Sequence, residues 1–418
     1  MRKRVLMVAF HFPPAMGYSG TQRALKFCRY LPDYQWDPIV LSAHTRSYAQ
    51  TSDAQLSEIP EQVPVHRSFA LDATRHLAIA GRYFGFTAQP DRWRSWRLPA
   101  IWQGLRLIKR YKPDLIWATY PVATSHRIAH TLSLITGLPW VADFRDGQWT
   151  ETFPVNAKLR ETFATLEARH IASANRVVVT TPGIQRLYSS RYPFLDPGKV
   201  VVIPNGFDEE NFQNLEPQTA LNPDKPIHLL HSGVIYPGQE ERDPVTLMEV
   251  LGRLHRLGVV GPETLKITFR GSGMEAHLQN QIDQNGLGDM VHVAPTLPYS
   301  QALEEMAQVD GLLLLQGANF SHLIPAKLFE YLRMGKPILA LADPNGDAAD
   351  LMLESGVTTI WPLHDTSEME NALPAFVEQV RCGAVPVANQ DAVGRFSRQA
   401  LTGDLATLFD TVDMSDLK

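Results

Sequence analysis

The sequence predicts two doubly wound α/β domains, each a parallel sheet covered by helices on both faces. Three observations lead there. The chain has 418 residues, too many for one ordinary domain. Short, continuous apolar runs rich in β-branched residues alternate with helical patterns, as strands buried on both faces of a parallel sheet require. A polar stretch rich in Asn and Pro, residues 204–226, interrupts this series, and the series then starts again.

The first series is "VLMVAF" (5–10), "PIVLS" (38–42), "DLIWAT" (114–119), "WVADF" (140–144), "RVVVTT" (176–181) and "KVVVIP" (199–204). The second is "IHLLHS" (227–232), "LKITFR" (265–270), "VHVAP" (291–295), "GLLLLQ" (311–316), "PILAL" (337–341) and "VTTIW" (357–361). A boundary after residue 212 gives domains 1–212 and 213–394, with a cleft expected between them. Within "SHLIPAKLFEYLRMGKPILAL" (321–341), Pro325 marks a helix start, and Gly335 with Pro337 marks its end.

Composition narrows the function. A net charge of −5 argues against a general nucleic-acid binder, and only Cys28 and Cys382 are present, so neither a disulfide framework nor a thiolate metal site is expected. The start, "MRKRVLMVAFHFPP", imitates a signal peptide, but its apolar run stops at His11 without a small-residue cleavage site. No run of 18 apolar residues spans a membrane. The expectation is a cytoplasmic, reduced protein.

Ligands of open parallel sheets sit beyond the carboxyl ends of the strands, which places three loops at the expected cleft. "HFPPAMGYSGTQR" (11–23) carries Gly17 and Gly20, which permit close backbone approach; the alternative is a flexible turn. "HSGVIYPGQEERDP" (231–244) carries Gly233 and Arg242. "QGANFSHLIP" (316–325) brings the amides of Ser321 to Ile324, Leu323 included, to a helix N-terminus, an anion site if they are free. Lys327 adds a full charge and Arg242 a bidentate fork, which together suit a diphosphate. Glu330, three residues after Lys327 on the same helix face, accepts hydrogen bonds only and suits paired ribose hydroxyls. The alternative is an exposed Lys327–Glu330 pair contributing about 0.3–0.5 kcal/mol, and spacing alone favours it.

"DFRDGQW" (143–149) should bring Asp143, Arg145, Asp146 and Trp149 to the cleft as acceptor or sugar contacts; the alternative is an internal Asp–Arg pair bracing the loop. His126 either faces the sugar or packs inside a helix. His126 and His130 are four apart, but without an HExxH pattern they do not make a metal site. "RWRSWRLPAIWQGLRLIKRYK" (92–112) holds seven Lys or Arg, three Trp and no acid. From Pro99 it fits an amphipathic helix with Ile101, Trp102, Leu105 and Ile108 facing the core. Its approach, with Arg92, Trp93, Arg94, Trp96 and Arg97, suits an anionic membrane surface.

"PNGFD" (204–208), "GSG" (271–273) and "PAKLFEYLRMGKPILA" (325–340), in order along nearly the whole chain, resemble the retaining glycosyltransferases of family 4, which have the two-domain GT-B fold. "ATYPVATSH" (118–126), "WVADFRDGQW" (140–149) and "ERDP" (241–244) look like a bacterial branch that assembles surface polysaccharides. The resemblance implies a nucleotide-diphospho-sugar donor bound mainly to the second domain, a glycan or lipid-linked acceptor, no cofactor and no metal. Arg242 and Lys327 match the family's diphosphate-binding basic residues, and Glu330 its ribose-binding glutamate. Pro295 to Leu297 match the segment near the nucleobase, and Gly17 to Gly20 the glycine loop that closes over phosphates and sugar. The segment 395–418 is expected to return to the first domain. Two positions depart from the pattern. His322 stands eight residues before Glu330, where the family has its first glutamate, and Thr119 stands where many relatives have histidine. The implied chemistry is replacement of the nucleoside diphosphate at the anomeric carbon with retention, by front-side attack. The alternatives are a non-catalytic nucleotide-sugar-binding subunit and a sugar-nucleotide epimerase on the same fold.

Overall fold

The computed structural model describes residues 2–17, 19–151, 153–216, 222, 224–235 and 243–412. Arg242 lies outside them. The chain divides into two compact units, one made of residues 1–205 with 398–418, the other of 206–397.

The first unit holds a seven-stranded sheet of β1 (Lys3–Val8), β2 (Trp36–Ala43), β3 (Val65–Ser68), β4 (Leu115–Thr119), β5 (Trp140–Arg145), β6 (Arg176–Val179) and β7 (Val200–Val202). Their order is β3-β2-β1-β4-β5-β6-β7, and every pairing is parallel. The second holds β8 (Ile227–Ser232), β9 (Leu265–Arg270), β10 (Val291–Ala294), β11 (Gly311–Leu315), β12 (Ile338–Leu341) and β13 (Ile360–Trp361), in the order β10-β9-β8-β11-β12-β13, again parallel. All twelve expected strands are present. The thirteenth, β3, escaped the sequence reading because "VHRS" is neither a continuous apolar run nor an alternating one. It is an edge strand.

In the second unit the strands bury both faces, with the period of two that a pleated strand imposes. Leu229, Leu313, Leu315, Leu339 and Leu341 join the core on one face; Leu230, Leu312, Leu314, Ile338 and Ala340 join the core on the other. The boundary between the units falls at 205, not 212. Phe207 and Phe212 pack in the second core with Leu303, Phe329 and Phe396, and the Phe207 amide donates to the Phe396 carbonyl at 3.2 Å. The return to the first unit begins at 398, not 395, because Phe396 belongs to the second. The helix Arg398–Asp410 then lays Leu401, Leu405 and Phe409 into the first core, with Phe409 edge-on to Trp36.

The helix Arg97–Tyr111 buries Ala100, Gly104 and Leu107, not the expected face, and leaves Trp102 exposed. Gly104 decides this. A Cβ there would lie 2.6 Å from Leu132 Cδ1, so a bare backbone lets the helix Ala123–Thr136 approach closely.

Among the described residues, Arg23 and Asp143 form a fully buried ion pair. Arg23, on the helix Ser19–Tyr30, donates from Nε and Nη2 to the two carboxylate oxygens at 3.0 Å each. Its remaining donors reach the carbonyls of Ile203 and Pro204 at 2.9 and 2.8 Å, and Thr119 Oγ1 donates to Asp143 Oδ2 at 2.8 Å. One guanidinium thus ties the first helix, β5 and the chain leaving β7. Removing one partner leaves a buried charge uncompensated, which costs about 3–5 kcal/mol. Arg23→Met and Asp143→Leu should each lower the thermal midpoint sharply, and the double variant should be less destabilised than the sum of the two. Strict additivity in a double-mutant cycle would show that the pair does not act as a unit.

Candidate functional site

Both sheets have a topological switch point. In the second unit it lies between β8 and β11, where the chain leaves neighbouring strands in opposite directions and a crevice opens beyond their carboxyl ends. His231, the penultimate residue of β8, is buried there. Its Nδ1 lies 3.0 Å from the Leu313 carbonyl on β11. A carbonyl can only accept, so Nδ1 carries the proton and Nε2 is left as an acceptor. Lys327 Nζ donates to it at 3.0 Å. Burial first, and then the Lys327 charge, hold His231 well below its ordinary pKa, so the ring is neutral and suited to this role.

Lys327 also lies over Gly233. A Cβ on that glycine, whose φ is +103°, would sit 3.4 Å from Nζ. The supporting helix, Ala326–Met334, is amphipathic: Leu328, Phe329, Tyr331 and Leu332 are buried, and Gly335 ends it in the left-handed conformation. Tyr331 fixes it a second time to the end of β8, its hydroxyl accepting from the Ser232 amide at 2.9 Å. The preceding loop is held from beneath. Gln316 Nε2 donates to the carbonyls of Phe320 and Leu323 at 2.6 and 2.8 Å, and the Asp347 amide donates to Ser321 O at 2.7 Å. His322, Leu323 and Ile324 sit half-buried in that loop.

One turn along the helix from Lys327, Glu330 accepts from the Tyr299 hydroxyl at 2.7 Å. The segment Pro295 to Leu297 is anchored by Arg270, which donates to the Pro295 carbonyl at 2.9 Å while Glu305 grips it with both carboxylate oxygens. Thr296 lies against Gly271, where a Cβ would come within 3.0 Å of its hydroxyl. The fold therefore places Lys327 against Gly233 at the end of β8, Glu330 one turn along the same helix, His322, Leu323 and Ile324 in the loop before that helix, and Pro295 and Leu297 on the loop after β10. His231 and Tyr299 were missed. His231 had a signal, a polar residue inside the apolar run "IHLLHS"; Tyr299 had none.

The first unit has its switch point between β1 and β4. Phe10, His11, Gly20, Thr119, Tyr120, Pro121 and Val122 line a narrow recess there. A Cβ on Gly20 would stand 2.7 Å from Arg145 Nη1, so any side chain at residue 20 displaces the guanidinium. Arg145 holds a φ of +63° beside a bulge in β5, with its carbonyl accepting from the Thr180 amide and hydroxyl at 2.9 Å each. Left-handed residues other than glycine concentrate at functional sites. Burial, with the nearby charges of Arg145 and Arg92, pulls His11 down to about 3.

Several expected contacts are placed elsewhere. Asp143 is spent inside, on Arg23 and Thr119. The internal Asp–Arg pair is thus present, with Arg23 rather than Arg145. His126 is fully buried, with Nε2 between the carbonyls of Ala118 and Asp143 at 3.1 and 3.2 Å and its ring edge-on to Phe144, so it packs instead of facing a sugar. Asp146 Oδ1 lies 3.1 Å from Thr180 Oγ1 and shares that hydroxyl's one proton with the Arg145 carbonyl. Trp149 lies under the Arg191 guanidinium at 4.0 Å, which itself pairs with buried Glu167 at 2.8 Å. Of "DFRDGQW", Arg145 alone joins the recess with Gly20. Gly17, at φ +83°, stands in open space: a Cβ there would meet nothing within 4 Å. In 92–97 the tryptophans turn inward: Trp96 is buried with Nε1 on Ser68 Oγ at 2.8 Å, and Trp93 packs 4.5 Å from Phe10 with Nε1 on the Ser47 carbonyl. Arg92 pairs with buried Asp72 at 3.4 Å, and Arg97 reaches Thr131. Among the described residues no group of three or more His, Cys, Asp or Glu is placed to hold a metal, and no helix is long and apolar enough to cross a membrane.

Residues 20–206 match the sequence family described as "Glycosyl transferase 4-like domain". The expected likeness to glycosyltransferase family 4 is thereby met on the first unit. No curated protein matches the sequence. Among solved structures, the chain is similar to sucrose-phosphate synthase from Thermosynechococcus elongatus, at 14% identity and a TM-score of 0.64, covering 98% of both chains. Anabaena Alr3699/HepE in complex with UDP-glucose aligns at 15% identity and 0.61, over 98% of this chain and 99% of that one. TarM aligns at 8% and 0.64, over 98% and 99%. At such identities the likeness is one of fold, and it agrees with the expected pair of doubly wound GT-B units.

Two buried histidines of the first unit make a pH test possible. Burial pulls His126 down to about 4, so both it and His11 are neutral in the folded chain near pH 6. The unfolded chain binds protons at its histidines from about pH 6.5 downward, while these two cannot until pH 4 or below. Their contribution to stability is complete above pH 6.5 and is lost as pH falls, at up to about 1.4 kcal/mol per pH unit for each histidine. Thermal midpoints measured between pH 6.5 and 5 should fall more steeply for the wild type than for His126→Gln. Parallel curves would show that His126 is not held neutral by the fold.

Proposed function

We propose that the chain is a retaining glycosyltransferase that moves a sugar from a nucleotide-diphospho-sugar to a glycan or lipid-linked acceptor, in surface-polysaccharide assembly. The observation that carries this reading is Lys327, held at the β8/β11 switch point by a neutral histidine, beside Gly233 and one turn before Glu330. The match of residues 20–206 to the glycosyl transferase 4-like family supports it. So do the fold neighbours, among them Anabaena Alr3699/HepE, whose structures contain UDP or UDP-glucose.

In this reading Lys327 and Arg242 meet the diphosphate, and Gly233 lets it approach the backbone; the Ser321 and Leu323 amides do not serve it, because they donate to the Ala318 and Phe320 carbonyls at 3.0 and 2.9 Å. Charge grows on the diphosphate as the glycosidic bond breaks, so these groups act on the transition state more than on the bound donor. Glu330 accepts from ribose hydroxyls, exchanging its Tyr299 partner for them. His322 lies where the departing sugar would sit, and a neutral imidazole can donate or accept there. Gly20 and Arg145 of the first unit serve the sugar or acceptor side. His322 and Thr119, both departures from the family pattern, favour a second reading, a non-catalytic subunit that binds nucleotide-sugar. Release of nucleoside diphosphate only when acceptor is added separates the readings.

Steady-state kinetics and calorimetry on two variants test the assignment. Lys327→Ala should lower turnover more than donor affinity. Glu330→Ala should chiefly weaken nucleotide binding, by roughly ten- to a hundredfold, as loss of a charged hydrogen-bond partner at about 1.5–3 kcal/mol implies. Unchanged nucleotide affinity in Glu330→Ala together with unchanged turnover in Lys327→Ala would make the helix purely structural. Binding of UDP should also persist in EDTA, because protein cations meet the phosphate charge; abolition by chelator would overturn the metal-free reading.

A further inference from the structure

With Trp93 and Trp96 turned inward, a different surface of the first unit stands out. The chain from Leu77 to Phe86 makes a tight hairpin. Ile79 and Arg82 exchange both backbone hydrogen bonds, at 2.8 and 3.0 Å, around Ala80 and Gly81, both left-handed. The hairpin and its arm hold up apolar side chains that no described residue of the unit covers: Ile79, Phe84 and Phe86 are 81%, 72% and 65% exposed. The two phenylalanine rings stack on each other, 5.8 Å between centres. The arm is braced by Arg94, which donates from Nη1 to the Phe86 carbonyl at 2.7 Å. Directly after Arg94 begins the helix Arg97–Tyr111, with Leu98 and Trp102 one turn apart, 75% and 60% exposed. Arg106, a further turn on, lies 4.5 Å over the Trp102 ring.

Charge identifies the occupant. Residues 73–113 hold nine Lys and Arg and one acid, Asp91, in a chain whose net charge is −5. Asp91 accepts from the backbone amides of Thr124 and Trp93, at 2.8 and 3.0 Å, so its charge is turned inward. Protruding aromatic and aliphatic tips among guanidinium groups, with the local charge opposite to the molecule's, fit a surface that is apolar below and anionic at its head: shallow insertion of the rings with the arginines at headgroup level. A soluble partner with a matching apolar groove would not require the excess of positive charge, and solvent alone is a poor neighbour for apolar tips grouped this way. We infer that Ile79, Phe84, Phe86, Leu98 and Trp102, with Arg82, Arg94 and Arg106, form a docking surface for an anionic lipid bilayer. The inference does not depend on the reaction proposed above.

The test is co-sedimentation of the full chain with vesicles of equal parts phosphatidylglycerol and phosphatidylcholine, against pure phosphatidylcholine. The wild type should bind the anionic vesicles at about 0.05 M salt and lose most of that binding at about 0.5 M, where the screening length shrinks several-fold. A Phe84→Ser, Phe86→Ser variant should bind at least about tenfold more weakly at either salt. An Arg82→Gln, Arg106→Gln variant should lose the preference for anionic vesicles. Both should keep the wild-type thermal midpoint, since exposed side chains are changed; should the phenylalanine variant be less stable, Trp102→Ser serves in its place. Wild-type binding that is absent, or equal to that of these variants, overturns the inference. So does a concentration-dependent dimer that the Phe84→Ser, Phe86→Ser variant abolishes, because the surface would then be an interface between copies.

Discussion

Each sheet contains one gap that its own connectivity creates, and the polar chemistry of the molecule depends on it. β1 and β8 sit between neighbours whose crossovers run to opposite sides, so the loops leaving β1 and β4, and those leaving β8 and β11, diverge. At the two gaps polar groups and glycines meet: His11, Gly20 and Arg145 at one, His231, Gly233 and Lys327 at the other. Glycine recurs for two reasons: a Cβ at Gly20 would stand 2.7 Å from the Arg145 guanidinium, and Gly233 holds a φ of +103° beside Lys327.

Buried charge behaves differently just beneath these gaps. Arg23 and Asp143 lie a layer below the recess, where a lone charge is intolerable, and they satisfy each other along with the carbonyls of Ile203 and Pro204. That arrangement removes Asp143 from the reach of any ligand but fixes the ends of β4 and β5, and so the start of the segment that Arg145 bends outward. Glu167 plays a similar part for Trp149: it takes the Gln148 amide, Arg191 and the hydroxyls of Tyr188 and Tyr192, which pins the loop after β5.

This division explains what was legible beforehand. Twelve strands were readable because burial on both faces writes an unbroken apolar run; β3 was not, because a polar edge strand writes no run at all. The loops at the switch points could be located, since they follow from strand order and glycine. Which side chains in those loops point outward could not. "DFRDGQW" offers two aspartates and an arginine in four residues, and the deciding partner of Asp143 is Arg23, 120 residues away. Periodicity likewise assigned Trp102 to the core of its helix, whereas packing against Leu132 selects the face with the small residue Gly104. Local pattern records what a segment prefers; long-range polar pairing and close backbone approach are set by neighbours the pattern does not name.

The partner chosen for Lys327 shows why such neighbours matter. An ammonium at this position must be held still without being neutralised if it is to meet an anion. A carboxylate in place of His231 would hold it, but at about 4 Å and an effective dielectric near 20 it would add roughly 4 kcal/mol of attraction for an incoming phosphate to displace. The neutral imidazole accepts one of three ammonium protons, and its own Nδ1 proton is committed to Leu313 O, so both ring nitrogens are engaged. Burial keeps it neutral, and the charge it orients reinforces that neutrality. The histidine therefore orients the lysine without itself adding an opposing charge, and under the glycosyltransferase reading the lysine's charge is what the leaving diphosphate meets.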